Sequence, residues 1–421
     1  MKYSVITFGC RVNQADSLGF EEDLMARGGQ ASSLEEADVV VVNTCSVTAS
    51  ADQAARQTIR RVARVNPSAR IVVTGCYATR RPDEVQSLAN VIRVVPNDSK
   101  GDLAAFMSSA ERFGEGDGGC GSAIVPGVAG RTAFTLRVQT GCAEPCSYCI
   151  IPATRGAPKS VSLSDVLREV DRVAAAGFKE IGLTGVHLGS YGRDLSPPSS
   201  LLALLSALAD RGGSRMPPEP DVWFRISSLE PMDCTPGIVE LVARSAAFAP
   251  HFHLPLQHAS NAVLRAMRRP YSFEQYWALV EGIRNRIPAA SIGSDLIAGF
   301  PGETDDDFEQ LAAYLERSPL THLHVFPYSD RPGTAATSLP HKVHGSVVRE
   351  RALRLREISA RLSARFRSGQ VGTVHRALTL DDGSVAVTDN YLKVRIPPGL
   401  PRNQWVQVRL TSQHAGELLG G

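Results

Sequence analysis

The sequence predicts an α/β protein with an N-terminal parallel α/β domain, a central run of six β/α units and a small C-terminal all-β barrel. Three observations carry this. Val-rich strands alternate with helices through the first hundred residues. A second alternating segment follows a Gly-rich stretch, and the tail then switches to short strands separated by turns. Composition agrees: of 421 residues, 43% are hydrophobic and 21% charged, ordinary globular proportions, and the length suggests about three domains. No apolar run approaches the ~18 residues of a membrane span. The start, Met1-Lys2-Tyr3-Ser4, leads into Val5–Phe8 without the long apolar core of a secretory signal. These features argue against a membrane, secreted or fibrous protein, and a cytoplasmic location is expected. Lys plus Arg number 45 against 43 Asp plus Glu, a net +2, so no strongly basic coat is present. Only six of the cations are lysines; Arg suits phosphate recognition, but a codon bias explains the preference equally well.

In chain order, strands are predicted at Val5–Phe8, Asp38–Asn43, Ile71–Thr74 and Val91–Val95, with helices at Asn13–Arg27, Ser50–Val65 and Arg81–Ala89. Residues 114–130 hold seven glycines and read as a linker; Cys120 inside it is given no role. Strands then follow at Phe134–Gln139, Glu180–Thr184, Val222–Ser227, His251–Leu256, Ser291–Ile297 and His322–Phe326. Helices between them are Ser164–Ala176, Leu201–Asp210, Gly237–Arg244, Phe273–Arg286 and Asp306–Glu316. Six units are too few for a closed eight-unit barrel. A curved open (β/α)6 arrangement and a flat doubly wound sheet both fit the periodicity. Val347–Phe366 is an Arg-rich amphipathic helix, and the strands His375–Leu380, Ser384–Val387, Tyr391–Ile396 and Gln404–Leu410 complete a mini barrel. The expected domains are therefore 1–113, a linker over 114–130, 131–345, a connecting helix over 346–366, and 367–421.

Eight cysteines in a long chain without a signal sequence favour metal or catalytic use over disulfides. Cys142, Cys146 and Cys149 form C-x3-C-x2-C directly after the first strand of the second segment. Three thiolates on one tight loop can hold three corners of an iron–sulfur cubane and leave the fourth iron open. Zinc normally takes a fourth ligand, and no His follows at that spacing; His187 is the first. A zinc loop and incidental thiols are the alternatives. Cys10, Cys45 and Cys76 each stand just past the end of a predicted strand, in TFGC, VVNTC and VTGC. In a parallel sheet those ends converge on one edge, where ligands bind. The set can hold a second open cluster; the alternative is that small, buried cysteines fell there by chance. Cys234, beside Asp233 and Pro236, reads as structural.

The C-x3-C-x2-C loop resembles that of radical S-adenosylmethionine (SAM) enzymes. The three scattered cysteines before it and the small barrel after it resemble the methylthiotransferases. Ile226–Pro231, His253–Gln257, Gly299–Thr304 and Phe326–Ser329 match as well, so the resemblance spans nearly the whole chain. It implies the radical SAM partial barrel for the second segment and a TRAM-like RNA-binding barrel for the third, the latter mainly through Thr388-Asp389-Asn390-Tyr391. It implies two [4Fe-4S] clusters, held by Cys142, Cys146 and Cys149 and by Cys10, Cys45 and Cys76, with no catalytic residue beyond these cysteines. SAM bound at the open iron of the first cluster yields a 5′-deoxyadenosyl radical on reduction, and the second cluster carries the sulfur that is methylated and transferred. Tyr148, Thr184, Gly185, Ser227, Ser228, Glu230 and Gln257 are the implied SAM contacts, with strand-end capping as the alternative for each. Gly299–Thr304 also makes a good turn, with Thr304 as a helix N-cap.

The neighbours Cys10-Arg11-Val12-Asn13-Gln14, Asn43–Thr48 and Gly75-Cys76-Tyr77-Ala78, with His322–Ser329, resemble the branch acting on threonylcarbamoyladenosine in tRNA. The resemblance thus implies 2-methylthiolation of N6-threonylcarbamoyladenosine next to the anticodon (position 37). The partners would be a tRNA anticodon stem-loop and a reducing system such as flavodoxin or ferredoxin, with the protein a monomer. Alternatives are methylthiolation of isopentenyladenosine tRNA or of a ribosomal protein, or a non-catalytic iron–sulfur or zinc protein that binds RNA. The sequence departs from the family at Ala143, Glu144-Pro145 and His258-Ala259-Ser260. Basic residues on the small barrel (Arg376, Lys393, Arg395, Arg402, Arg409) fit RNA or a solvated surface equally.

Overall fold

The computed structural model describes residues 1–103, 126, 132–211, 222–414 and 417–421. The expected linker over 114–130, apart from residue 126, and Cys120 lie outside the described residues. The chain divides into two compact units. The first comprises Met1–Ile124, Thr140–Lys159 and Ser329–Thr334, and the second Val125–Gln139, Ser160–Tyr328 and Ala335–Gly421.

The first unit is built on five strands, β1 (Lys2–Thr7), β2 (Gln30–Ala31), β3 (Val39–Thr44), β4 (Arg70–Gly75) and β5 (Val91–Val95), in the order β2-β1-β3-β4-β5. All pairings are parallel. Every residue of β3 is buried, as a strand covered on both faces requires. Its side chains alternate between two cores. Val40 and Val42 meet Ala55, Ile59 and Val62 of helix Ala49–Val65. Val39 and Val41 meet Phe20 and Leu24 of helix Arg11–Ala26. Each such Val contributes roughly 1.5–3 kcal/mol, enough to fix the register, because a one-residue slip would exchange the two cores. The predicted helix Arg81–Ala89 is shorter, Pro82–Gln86, and a separate five-residue helix, Cys76–Arg80, precedes it.

The second unit begins with β6 (Phe134–Arg137); the two-residue strands β7 (Gln139–Thr140) and β8 (Lys159–Ser160), each divided between the two units, follow in sequence. Then come β9 (Glu180–Thr184), β10 (Trp223–Ile226), β11 (His251–His253), β12 (Ser291–Ala298) and β13 (His322–Pro327). Two three-stranded parallel groups, β6-β9-β10 and β11-β12-β13, are joined by a bridge from Ser228 to His253. The six strands thus run in chain order with no reversal. A doubly wound sheet would reverse at its switch point, so the curved open (β/α)6 arrangement is the one adopted. Strands β14 (Val374–Leu380), β15 (Val385–Thr388), β16 (Lys393–Arg395), β17 (Trp405–His414) and β18 (Glu417–Gly420) form a closed barrel around Ala377, Ala386, Val394, Val408, Leu410 and Leu418. The sequence reading lacked β18, which closes the barrel by pairing with both β16 and β17.

The Arg-rich helix extends over Gly345–Gln370. Its cations dock it on helix Asp305–Arg317 and the turn before that helix: Arg351 reaches Glu303 at 2.7 Å, Arg354 reaches Glu309 at 2.8 Å, and Arg361 pairs with Glu316. Glu303 in turn accepts the Gly299 and Phe300 N–H groups, and Thr304 caps the helix in a capping box with Asp307. Gly299–Thr304 is therefore a turn that anchors two helices.

Candidate active site

Cys10, Cys45 and Cys76 sit at the carboxyl ends of β1, β3 and β4, which are consecutive neighbours in the sheet of the first unit. The strand–helix alternation itself brings them to one edge. Cys10 is the N-cap of helix Arg11–Ala26 and is exposed, whereas Cys45 and Cys76 are buried. Gly9, at φ +89°, makes room for Cys45: a Cβ there would lie 2.6 Å from both Cβ and Sγ of that residue. Burial pushes the Cys45 thiol up to about 11, the neighbouring Cys10 and Cys76 add to the rise, and the Val47 N–H at 3.5 Å opposes it.

The loop holding Cys142, Cys146 and Cys149 belongs to the same unit. Cys142 N–H donates to Gly156 O at 3.0 Å, closing the loop, and Glu144 N–H points at the Cys142 sulfur at 3.4 Å. Cys149 N–H donates to Cys146 O at 3.1 Å, and all three thiols are partly exposed. Helix Ile151–Arg155 follows and ends in Arg155, the one charged residue in 147–158.

The sequence reading missed Arg155. Its guanidinium lies against the Cys76 thiol, feels the charge of Cys10, pairs with Asp16 at 3.1 Å and donates to Asn13 Oδ1. Burial alone would lower its pKa, but Cys76, Asp16 and Cys10 outweigh burial and hold the guanidinium firmly charged. Lys100 joins the group, 2.6 Å from Asp16 and 3.2 Å from Asn43 Oδ1; burial brings it down to about 8 despite Asp16. Asn13 donates to Phe8 O and Thr44 O, tying the approaches of Cys10 and Cys45 together. Asn97 reaches Cys76 Sγ at 3.7 Å and Thr154 O at 2.7 Å. Beside Cys45, Arg331 and Arg80 converge on Asp52 and Ser46. A sole Arg in an apolar stretch was the available signal for Arg155. The others announce themselves only through contacts distant in sequence.

The remaining sequence-derived candidates divide between the units. Tyr148 lies on the cysteine loop, partly buried. In the second unit Thr184 ends β9, and Gly185 follows it where a Cβ would come 3.0 Å from Gln139 Oε1. Ser227 follows β10 and is buried, with no hydrogen-bond partner for its Oγ. Ser228 is exposed. Gln257 holds φ +67° and bridges to Leu296 through its backbone. Glu230 is engaged with the buried Arg269. Thr184, Ser227 and Gln257 thus stand at the carboxyl ends of successive strands of the partial barrel. His187 pairs with Asp233 at 2.7 Å. Cys234 is buried, and burial pushes its thiol up to about 12, in keeping with a structural role.

A six-stranded parallel partial barrel led by a C-x3-C-x2-C loop defines a radical SAM protein, and residues 136–315 match the Radical SAM superfamily. Residues 2–96 match an uncharacterized protein family, UPF0004. In fold the chain resembles a radical S-adenosylmethionine methyltransferase from Kitasatospora setae solved with cobalamin and a [4Fe-4S] cluster. The TM-score is 0.57, covering 80% of this chain and 73% of that one at 16% identity. The threonylcarbamoyladenosine tRNA methylthiotransferase of Aquifex aeolicus is 35% identical over 94% of this chain and 96% of its own length. The tRNA-2-methylthio-N(6)-dimethylallyladenosine synthase of Thermobifida fusca is 34% identical over 88% and 76%. The chain belongs to the radical SAM methylthiotransferase family, and this membership implies SAM and a [4Fe-4S] cluster. Among the described residues, no helix is long and apolar enough to cross a membrane.

Proposed function

We propose that this chain is a tRNA methylthiotransferase that converts N6-threonylcarbamoyladenosine next to the anticodon into its 2-methylthio derivative, using SAM and two [4Fe-4S] clusters. One observation carries the reading: three consecutive strand ends present three cysteines in the same unit as the C-x3-C-x2-C loop. Each set offers three thiols, a donor number that suits a cubane with one open iron better than a closed zinc site. The Aquifex relative, matched over nearly its full length, supports the choice of nucleoside.

When bound, the reduced open cluster supplies the electron that cleaves SAM and so the radical that activates the substrate carbon. The chain's own residues prepare for this. Cys142, Cys146 and Cys149 would hold that cluster, and the orphaned Ser227 Oγ and the bare backbone at Gly185 fit a ligand at the strand ends. Cys10, Cys45 and Cys76 would hold the second. Cys45 must release its proton on metal binding. Arg155 and Lys100 supply the charge that compensates the resulting thiolates.

Two measurements test this. Anaerobic reconstitution should yield about eight irons per chain, and about four in the C10A/C45A/C76A variant. That variant should still form 5′-deoxyadenosine from SAM yet transfer no methylthio group. Nucleoside analysis of tRNA from a deletion strain should show loss of 2-methylthio-N6-threonylcarbamoyladenosine. Its persistence, with loss of the isopentenyl counterpart or of the ribosomal-protein modification, would transfer the assignment to that branch.

A further inference from the structure

Three adjacent strands of the partial barrel carry a cluster of side chains that neither the SAM chemistry nor the thiols use. β12 pairs with β11 through His253 and Gly293, and with β13 through Asp295 and His324. Alternation along each strand puts His253, Asp295 and His324 on one face. That face is the interior of the partial barrel, because the intervening Ser294 points out to Tyr276 of helix Phe273–Arg286 at 3.2 Å. Asp295 Oδ1 lies 2.8 Å from His253 Nε2 and 3.2 Å from His324 Nδ1, and the three ligand atoms are mutually within 4.8 Å. Among the described residues no other trio of His, Cys, Asp or Glu is this close. Gly293 leaves the space the rings need: a Cβ there would stand 2.2 Å from His322 Nε2 and 2.9 Å from His253 Nδ1.

We propose that His253, Asp295 and His324 bind one divalent transition-metal ion of the zinc class, in a site built without a thiol. Two imidazoles and a carboxylate are the ligand set such ions prefer, and three protein ligands leave a fourth position for water or another oxygen donor. The carboxylate offsets half the ion's charge. His253 is largely buried and Asp295 mostly so, while His324 is 58% exposed, which gives the ion a route in. The site is independent of the methylthiotransferase reading, and its loss or confirmation leaves that reading where it stands.

The test uses the iron-loaded holoenzyme, whose thiols are already occupied. It is incubated anaerobically with one equivalent of zinc chloride, desalted, and examined by metal analysis and zinc K-edge absorption. The expected result is about one retained zinc per chain with only nitrogen and oxygen neighbours at about 2.0 Å. His324→Ala and His253→Ala should each weaken retention at least about tenfold, since a lost ligand costs no less than the roughly 10–100-fold that follows loss of an outer-shell partner, with the iron count unchanged. His324, the more exposed residue, decides the matter if the His253 variant fails to fold. No retained zinc, equal retention by the His324 variant, or a sulfur shell at about 2.3 Å overturns the proposal.

Discussion

One residue that shapes the cysteine edge carries no side chain at all. Gly9 combines φ +89° with a Cβ position occupied by Cys45, whereas Gly28 has a similar φ of +79° and open space around it. The pair separates backbone strain from collision. Gly28→Ala should cost about 1–2 kcal/mol and leave the iron content intact. Gly9→Ala carries the same strain and in addition must displace Cys45, so its iron should fall from about eight toward about four per chain. Equal iron in the two variants would show that the seat of Cys45 is unimportant. Arg155 makes the second prediction at this scale. A buried guanidinium against Cys76, within electrostatic reach of Cys10, stabilises negative charge there. Arg155→Met should therefore shift the reduction potential of the proposed N-terminal cluster to more negative values without changing the iron count, while Arg155→Lys should shift it less. A redox titration followed by electron paramagnetic resonance reads both.

At the scale of elements, much of the fold was legible. β9 and helix Phe273–Arg286 begin and end where the sequence places them. The first shows as a short run of buried-type residues, the second through Ser272 and Gln275, which form a capping box. What was illegible depends on partners distant in sequence. Helices Cys76–Arg80 and Ile151–Arg155 are too short for a 3.6-residue period to show. β18 makes sense only once β16 and β17 are side by side. The His253, Asp295 and His324 trio comes from three strands, so no local spacing announces it. Charge was the most misleading cue. The Arg-rich helix spends Arg351, Arg354 and Arg361 on acidic partners, and on the small barrel Arg395 pairs with Glu417 while Arg376 lies over Trp223 and Trp405. Breaking the best-buried of these pairs should be costly. Glu303→Ala removes the buried one of the two carboxylates that Arg351 pairs with, leaving only the exposed Asp305, and leaves the Gly299 and Phe300 N–H groups without their acceptor. A loss of about 3–5 kcal/mol in denaturant unfolding is expected. A loss below about 1 kcal/mol, the worth of a solvated surface pair, would mean that the two helices are held mainly by apolar contact.

At the scale of the molecule, acid should loosen the second unit before it affects anything a carboxylate count would suggest. Within that unit the small barrel is anchored through Thr388–Tyr391, the stretch that resembles an RNA-binding barrel: Asp389 O accepts from Arg225 at 3.3 Å, Asn390 donates to Ala289 O at 3.1 Å, and the Tyr391 ring lies 4.4 Å from the Arg225 guanidinium. Arg225 is fully buried and paired with Glu180 at 2.8 Å. Near this anchor, His322 is pulled down to about 4 by burial, with His253 and His324 adding repulsion. His258, beside Glu303, is pulled down to about 4 by burial as well. Both are neutral in the folded chain, and an unfolded histidine titrates near about 6.5. Between these values the unfolded state binds more protons than the folded one. The stability these histidines contribute is therefore complete above about pH 6.5 and is lost as pH falls toward about 4, by up to roughly 2–3 kcal/mol for each. Thermal melts of the chain should fall across that window, and His322→Asn should flatten the decline while leaving the melting temperature at pH 8 within a few degrees. Asp295 works in the same sense but at lower pH: it is buried, yet its two histidine partners keep its carboxyl well below the ordinary range, so its contribution is lost only below the ordinary carboxylate range, in far more acidic solution. A melting temperature that is flat from pH 7 to 4.5 would show that water reaches these imidazoles and that they titrate as exposed groups do.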